Sequence, residues 1–342
     1  MIQTFGLRHF LLVRSLQGKG VSLDLEKDLT RASSPLRDAL AARFLVANLD
    51  TYVLDGSGKG EIGFTQVRER RGRPEMDVVY MAPALDHDEA EETWCRLLTY
   101  LCKQAGEQGT QRLFASLPEG GPEVEVFRQV GFVVHAREEI FRLEPSVLAQ
   151  AVRPPPLEEV SIQAHIRRRH EGDIWSLQKL YTAITPRLVR QVEGPHPWNW
   201  GIGMGWWLGW PRREAYILED GAGEVGGYTQ INKGDIGHWL RLAIHPGAQQ
   251  HASDLVRFSL HLLATLPPRP IYCSLREYET GLRGPLEDWG FAPFDRRVIV
   301  VKHATVWVRE PSSYPASHME KRAEATTTYG RACTPPAQVN RH

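Results

Sequence analysis

The stretch best suited to chemistry runs from Ile236 to Leu266 and is typical of a strand, a tight turn and a helix. Pro246 and Gly247 end the strand, because proline cannot donate to a strand ladder and glycine frees the backbone. The helix places its apolar residues on one stripe, at Leu255, Phe258, Leu262 and Leu266. Free N–H groups at the start of such a helix favour anions, so the junction is a candidate site for a phosphorylated ligand.

Composition limits the class of protein that these elements can belong to. The 342 residues suggest two ordinary domains, and 42% hydrophobic with 24% charged residues is typical of a globular chain. Acidic and basic residues balance at 41 each, which gives no support for a nucleic-acid partner. Four cysteines without CxxC pairing predict reduced thiols and no metal site. No apolar run reaches membrane-spanning length, so we expect a soluble cytoplasmic protein with no membrane partner.

The order of elements around this stretch occurs twice in the chain. Each occurrence runs helix, helix, hairpin, strand, long helix, strand, short helix and closing strands. Short segments match between the two: Tyr52–Leu54 with Tyr216–Leu218, Gly63–Gln66 with Gly227–Gln230, and Val130–Phe132 with Trp289–Phe291. Preserved order with a slightly drifting offset indicates two copies of one fold that differ in loop length.

Composition shifts place the boundaries of these copies. We assign residues 1–147 to a first copy and residues 158–308 to a second. Residues 148–157 include three successive prolines and are typical of a stiff linker. Residues 309–342 are rich in Ser, Thr, Ala and Pro without apolar periodicity, so we expect a disordered tail.

The repeated unit, with its strand-Pro-helix centre and its short helix before Gly131-Phe132 and Gly290-Phe291, resembles the GCN5-related N-acetyltransferase superfamily. The resemblance implies an α/β (α+β) chain of two tandem acyl-CoA N-acyltransferase domains. Each would be a mixed, mostly antiparallel sheet flanked by helices. It also implies acetyl-CoA as the acyl donor and a small-molecule or peptide amine as the acceptor.

In that superfamily the acetyl-CoA diphosphate sits on a turn of the form Gln/Arg-x-x-Gly-x-Gly/Ala after the central strand. The resemblance places the cofactor in the second copy on the strand residues Leu242 and Ile244 and on the turn residues Gln249, Gln250, His251, Ala252, Ser253 and Asp254. Gln249 and Ala252 fit this form. Asp254 replaces a small residue and brings negative charge, which caps the helix but repels a diphosphate.

The matching turn of the first copy is more acidic. Asp86, Asp88, Glu89 and Glu91 crowd it, and it contains no glycine. Carboxylates at this density repel phosphates. We therefore expect the first copy to have lost the cofactor and to be non-catalytic.

The superfamily also carries a tyrosine, in the pattern Tyr-x-x-x-Gly-Phe, as the acid that protonates the leaving thiolate. Here the pattern falls on Phe127 and Leu286, which have no proton to donate. Tyr278 lies earlier and serves only if its loop brings it into the site. The alternative interpretation of Tyr278 is a half-buried loop tyrosine without a catalytic role.

Two residues are candidates for the general base. His238 on the central strand could reach an acceptor amine directly or through water. The alternative for His238 is a strand histidine that faces a neighbouring strand or solvent. Glu277 is the second candidate, and it too could face away from the acceptor.

One loop of the second copy is rich in tryptophan and glycine. It contains Trp198, Trp200, Trp206, Trp207 and Trp210. In the superfamily this position borders the acceptor site, so the loop could form an aromatic wall for an apolar or cationic acceptor. It could equally pack between the copies or cover exposed sheet.

Two hypotheses about function follow. In the first, the second copy transfers an acetyl group from acetyl-CoA to an amine while the first copy shapes the cleft. In the second, the protein is catalytically inactive and has kept the fold for binding or regulation. The copies could pack within one chain or exchange across a homodimer.

Overall fold

The computed structural model describes residues 1–32, 34–44, 48–56, 61–70, 72–87, 89–151, 166–194, 212–219 and 223–304. Met1–Val306 forms one compact unit that includes both copies. The described residues leave out 152–165, which begin in the assigned linker, and 195–211, which contain the tryptophan-rich loop. They also leave out 305–342, which contain the assigned tail. No helix in the described ranges is long and apolar enough to cross a membrane.

The first copy follows the predicted order with two additional helices and two additional short strands. Its elements are β1 Ile2–Thr4, α1 Phe10–Leu16, β2 Val21–Ser22, α2 Leu25–Thr30, α3 Pro35–Phe44, β3 Leu49–Asp55, β4 Ile62–Glu69, β5 Glu75–Ala82, α4 Ala90–Glu107, β6 Arg112–Pro118, α5 Pro122–Gln129, β7 Val133–Leu143 and α6 Pro145–Ala151. The additional elements are α2, α6, β1 and β2. The pattern did not predict α2, because six residues are too few to show helical periodicity. Residues 148–151 of the assigned linker belong to α6.

The second copy repeats this order, without counterparts of β2, α2 and α6 in the described residues. Its elements are β8 Ile166–Arg168, α7 Ile174–Ile184, α8 Arg187–Glu193, β9 Arg212–Glu219, β10 Val225–Lys233, β11 His238–Ile244, a 3-10 turn Pro246–His251, α9 Ala252–Ala264, β12 Ile271–Arg276, a 3-10 turn Thr280–Leu282, α10 Arg283–Asp288 and β13 Ala292–His303. Each copy closes with one long strand, β7 or β13, where the sequence predicted two short ones.

The strands of both copies form one mixed, mostly antiparallel sheet. Its order is β1-β3-β4-β5-β6-β13-β7-β12-β11-β10-β9-β8, and β2 pairs with β5 outside this path. The closing strands are exchanged: β13 of the second copy lies between β6 and β7 of the first, and β7 lies between β13 and β12. The exchange therefore takes place within one chain.

A long helix covers one face of the sheet in each copy. In the first copy, α4 buries Trp94, Leu97 and Leu98 completely against the strands. In the second, α9 does the same with Leu255 and Leu260. Fully burying a side chain of this size contributes about 1.5–3 kcal/mol. These two contacts fix the central strand of each copy relative to the helix that follows it.

On the opposite face, each copy covers part of the other. Helix α2 of the first copy packs Leu25 and Leu29 against Trp239 and Tyr272 of the second. Helix α8 of the second copy reaches the first, where Val192 packs on a cluster formed by Phe114, Ala136, Ile299 and Val301. Part of this face of each copy is therefore covered by a helix of the other copy.

Candidate functional site

Each copy contains a gap between two parallel strands. In the first copy, β5 and β6 pair only from Glu75 to Asp77, and beyond that they diverge. In the second copy, β11 and β12 pair only from His238 to Leu240. We call these the first gap and the second gap. A strand edge that loses its partner leaves backbone N–H and C=O groups that can bind an extended ligand.

The first gap is filled by the chain itself. Strand β2 pairs with β5 in antiparallel register, Val21 opposite Met81 and Ser22 opposite Tyr80. The Leu23 N–H donates to the Val79 carbonyl oxygen at 2.9 Å, which extends this pairing. Because β4 occupies the other edge of β5, β2 lies on the edge that β6 leaves.

The second gap has no such strand. Past Leu240 and Cys273, no strand of the described residues pairs with this edge of β11. The segment that corresponds to β2 closes α7 instead: Thr185 donates its N–H to the Tyr181 carbonyl at 3.0 Å. Among the described residues, the backbone of Arg241–Ile244 therefore has no strand partner on this side.

The start of α9 lies directly after this strand edge. The 3-10 turn Pro246–His251 leads into the helix, and the His245 side chain accepts from the Gly247 N–H at 3.1 Å. Gln249 folds over Gly281 so closely that a side chain at position 281 would collide with its amide. The turn after β11 and the turn after β12 therefore meet at the mouth of the second gap.

Asp254, the acidic residue in this turn, has two basic residues as neighbours. Its Oδ1 accepts from Arg257 Nη2 at 3.2 Å, and its Oδ2 lies 3.5 Å from His251 Nδ1. The guanidinium offsets the charge that would otherwise repel a diphosphate. Ser253, which accepts from Trp289 Nε1 at 3.1 Å, is exposed at the first turn of the helix.

The corresponding helix start in the first copy remains acidic. Glu89 precedes α4 with a φ of 62°, and Glu91 and Glu92 lie in the first turn. Asp86 in the preceding loop has an 80% exposed side chain. The buried residues of α4 and α9 follow the same spacing when Ala90 is aligned with Ala252. In this alignment Glu91 of the first copy corresponds to Ser253 of the second.

One carboxyl group borders the second gap. Glu279 follows β12, and its Oε2 accepts from the Arg276 backbone N–H at 2.9 Å. Burial raises the pKa of the Glu279 carboxyl to about 7, although Arg276 and Arg241 oppose this effect. Arg241 lies on β11 and Arg276 on β12, the two strands that bound the gap. A carboxyl that titrates near neutrality can accept a proton from an amine and release it again.

A buried ionic cluster holds Arg276 in place. Glu193 at the end of α8 is 4% exposed, and its Oε1 lies 3.2 Å from Arg276 Nη2 and 3.3 Å from His135 Nε2. Its carbonyl oxygen accepts from Arg73 Nη1 at 2.9 Å. Burial acts to raise the pKa of the Glu193 carboxyl, but Arg276 and His135 lower it to about 2. Glu193 is therefore ionised and joins residues of both copies.

The two sequence candidates for the general base lie in different surroundings. His238 is 2% exposed at the paired end of β11, and its backbone N–H donates to the Pro270 carbonyl oxygen at 2.9 Å. Burial lowers the pKa of its imidazole. Glu277 is exposed, and its Oε2 lies 3.8 Å from Arg137 Nη1. In the described residues, neither side chain forms a hydrogen bond or ion pair with Arg241–Ile244.

The tyrosine candidate lies in the turn after β12. Tyr278 is partly buried between Arg276, Glu193 and Glu279, and burial raises the pKa of its phenol. Phe127 and Leu286 are both completely buried in the cores of their copies. The tryptophan-rich loop, the other predicted wall of the site, lies outside the described residues.

Sequence reasoning did not identify Glu193, Glu279 or β2. Glu279 lies two residues beyond Glu277, so only the direction of the turn distinguishes them. Glu193 could have been suspected as an acidic residue at a helix C-terminus, where the helix dipole disfavours negative charge unless cations surround it. In the part of the chain that the structure describes, no group of three or more His, Cys, Asp or Glu could hold a metal ion.

Comparison with solved structures places this architecture among known folds. A tandem GNAT protein from the clavulanic acid biosynthesis pathway is 17% identical, with a TM-score of 0.53 over 89% of this chain and 98% of that chain. A GCN5-related N-acetyltransferase from Sphaerobacter thermophilus is 13% identical, with a TM-score of 0.52 over 89% of this chain and 95% of that one. These likenesses confirm the tandem GCN5-related N-acetyltransferase (GNAT) fold.

A third similar structure is the GCN5-related glucosamine N-acetyltransferase region of a fungal multi-domain GH3 β-N-acetylglucosaminidase. It is 10% identical, with a TM-score of 0.55 over 88% of this chain and 38% of that chain. No protein-family model matches the sequence, and no curated protein matches it either. The likeness to solved structures therefore establishes the fold of this chain.

Proposed function

We propose that the second copy transfers the acetyl group of acetyl-CoA to a primary amine on a small molecule or peptide. The observation that carries this proposal is the difference between the two gaps. In the first gap β2 pairs with β5, whereas in the second gap no strand of the described residues pairs with Arg241–Ile244. The second gap therefore offers a backbone edge to an extended cofactor.

The cofactor would bind along this edge and across the start of α9. The pantetheine arm carries amide groups that can pair with the backbone at Leu242 and Ile244. The diphosphate would meet the backbone amides of the turn Gln249–Asp254, where the helix dipole favours negative charge. Arg257 supports this placement, because it offsets the charge of Asp254.

We place the general base at Glu279, because it borders the gap and its pKa is raised to about 7. The protonated amine loses a proton to Glu279, and its neutral nitrogen attacks the thioester carbonyl carbon. Backbone N–H groups of β11 would stabilise the negative charge that develops on the carbonyl oxygen. The C–S bond then breaks and the thiolate takes a proton from the Tyr278 phenol. The surplus proton on the nitrogen passes to the phenolate, which restores Tyr278. Such acid and base groups typically contribute 10²–10⁴-fold each.

The first copy has a structural part in this proposal. Its gap is filled by β2 and its helix α4 begins among carboxylates, so it would bind no acetyl-CoA. It supplies β7, the neighbour of β12, and α2, which covers Trp239 and Tyr272. The alternative is a non-catalytic binding or regulatory protein. It is compatible with the same features of the first copy and differs only in predicting no turnover.

Calorimetric titration of the full chain with acetyl-CoA tests the binding step. We expect one site per chain. Ser253→Glu gives the second copy the carboxylate that the first copy has at Glu91, so this variant should bind at least tenfold more weakly. The matched variant Glu91→Ser should add no second site, because β2 still fills the first gap. Absence of binding at millimolar acetyl-CoA contradicts the proposal.

Turnover separates the enzyme from the binding protein. We would supply the full chain with acetyl-CoA and a panel of primary amines and follow release of free thiol. Glu279→Gln should keep acetyl-CoA affinity and lose at least about 100-fold in turnover. Tight acetyl-CoA binding without turnover on any amine would favour the non-catalytic alternative.

A further inference from the structure

The ionic cluster around Glu193 draws its members from both copies. Glu193 and Arg276 belong to the second copy, on α8 and β12. His135 belongs to the first, on β7, and its Nδ1 lies 3.0 Å from the Ile299 carbonyl while its Nε2 lies 3.3 Å from Glu193 Oε1. Glu138, also on β7, lies 3.7 Å from Arg276 Nε. The exchange of closing strands brings these residues together, since β7 is the neighbour of β12.

The position of His135 is fixed on several sides. Its side chain and that of Glu193 are each 6% exposed. Its ring packs edge to face on Phe114, with centroids 5.7 Å apart. A buried imidazole held by packing and by the Ile299 carbonyl has few other orientations. His135 therefore presents a fixed Nε2 to the Glu193 carboxylate.

Glu193 in turn determines where Arg276 points. Its carboxylate and that of Glu138 are the two anions within 4 Å of the Arg276 guanidinium in the described residues. The backbone N–H of the same arginine donates to Glu279 Oε2 at 2.9 Å. A displaced Arg276 side chain would move the strand end that carries Glu279 and Tyr278. The cluster thus connects β7 of the first copy to the mouth of the second gap.

We propose that His135 of the first copy is a positioning residue for acyl transfer in the second copy, acting through Glu193 and Arg276 on Glu279. This inference rests on the proposed function, because it assigns the base to Glu279. It gives the first copy a part in the chemistry although its own gap is filled. The site is then incomplete without residues from both halves of the chain.

The charged and titratable groups that face Glu279 come from three elements. Arg276, Cys273 and Tyr278 belong to β12 and the turn after it, Arg241 to β11, and Glu193 to α8. Burial is the main cause of the raised pKa of Glu279, and the charge of Glu193, the anion among these groups, adds to it. Removing that charge leaves burial opposed by Arg276 and Arg241, so the titration of Glu279 should move to lower pH.

Infrared difference spectroscopy of the full chain tests this link without substrate. The band of the protonated Glu279 carboxyl is identified by its loss in Glu279→Gln. We expect its titration midpoint to fall by about one pH unit in Glu193→Gln, the order expected when one charge leaves a partly buried cluster. An unchanged midpoint in a folded Glu193→Gln protein overturns the inference.

A matched pair of substitutions tests His135 itself. Glutamine can place a donor near Nε2 and keep the contact with Glu193, whereas asparagine can replace only the Nδ1 contact with Ile299. We expect His135→Asn to lower kcat about tenfold with unchanged acetyl-CoA affinity, and His135→Gln to stay within about twofold of the parent. Equal kcat values for the two variants overturn the inference.

The two measurements keep this inference separate from the proposed function. If acetyl-CoA fails to bind but Glu193→Gln moves the Glu279 midpoint, the proposed function fails and the link through Glu193 stands. If acetyl-CoA binds and is turned over but the midpoint does not move, the link fails and the function stands. Thermal unfolding of each variant confirms that the protein assayed is folded.

Discussion

The backbone nitrogen of Leu23 lies 2.9 Å from the carbonyl oxygen of Val79. This hydrogen bond continues the pairing of β2 with β5 past Ser22, and a second one, from Ala84 N to Lys19 O, closes its other end at 2.6 Å. The edge of the central strand that the second copy leaves without a strand partner is thus covered in the first. The two copies thus differ: β2 fills the first gap, whereas no strand of the described residues fills the second.

Close packing of this covering segment predicts a strong effect of Gly20→Ala. A Cβ on Gly20 would lie 2.6 Å from the Met81 carbonyl oxygen and against the Tyr80 ring, so backbone must move to admit it. Overpacking of this kind costs about 1–3 kcal/mol. Urea denaturation of the full chain should show this loss of unfolding free energy.

Gly18→Ala is the matched control for Gly20→Ala. Nothing lies within 4 Å of a Cβ at Gly18, so we expect its unfolding free energy to stay within about 0.5 kcal/mol of the parent. If both variants unfold at the parent midpoint, the segment is not tightly held in the first gap.

Exchange of the closing strands predicts that the copies cannot fold apart. A fragment of residues 158–342 lacks β7, so β12 and β13 lose the strand that lies between them. Unpaired edges of this length favour aggregation. We expect each fragment, 1–157 or 158–342, to be insoluble or unfolded alone, by circular dichroism and size-exclusion chromatography.

Co-expression of the two fragments is the informative comparison. Because the exchanged strands pair across the fragments, we expect a soluble one-to-one complex that elutes with the full chain. A folded, monomeric fragment of residues 158–342 would show that the second copy does not depend on β7.

The sequence predicted the features that depend on local pattern. Gly131 and Gly290, which follow the short helices, have positive φ, and the matched segments revealed the duplication. The stripe predicted for α9 was only partly right: Leu255 is buried, but Phe258 and Leu262 are partly buried and Leu266 lies beyond the helix. Strand exchange was beyond this reasoning, because an alternating strand such as Val133–Leu143 can pair equally well with either neighbour. The pKa of Glu279 depends first on burial and then on Arg276 and Arg241. Burial in a loop and a charge distant in sequence are not visible in the local pattern, so Glu279 could not be distinguished from Glu277.

Burial of Glu279 predicts a cost in stability above neutral pH. Its pKa rises from an ordinary value near 4.3 in the unfolded chain to about 7 in the folded protein, so the folded protein holds a proton that the unfolded chain releases. Stability should therefore fall between about pH 4.5 and pH 7. Glu279→Gln removes this dependence and should be more stable than the parent by roughly 1–3 kcal/mol at pH 8, but not at pH 4.5.

Thermal or urea unfolding at the two pH values measures this difference. Glu277→Gln provides the control, because Glu277 is exposed and should give the same small change at both. A Glu279→Gln protein that loses stability at pH 8 would mean that the carboxylate is well solvated or paired. The raised pKa, and with it the proposed base, would then be untenable.

The cluster around Glu193 predicts the opposite dependence on pH. Its pKa falls from near 4.3 in the unfolded chain to about 2, so the stability it contributes is present above about pH 4.5 and is lost as the pH falls towards 2. Glu193→Gln should cost about 3 kcal/mol at pH 7, since it leaves Arg276 and His135 without their shared anion. At pH 3 the difference in unfolding free energy between variant and parent should be clearly smaller, because the parent has begun to lose the stability that ionised Glu193 contributes. Equal destabilisation at pH 7 and pH 3 would indicate that Glu193 acts through packing and not through its charge.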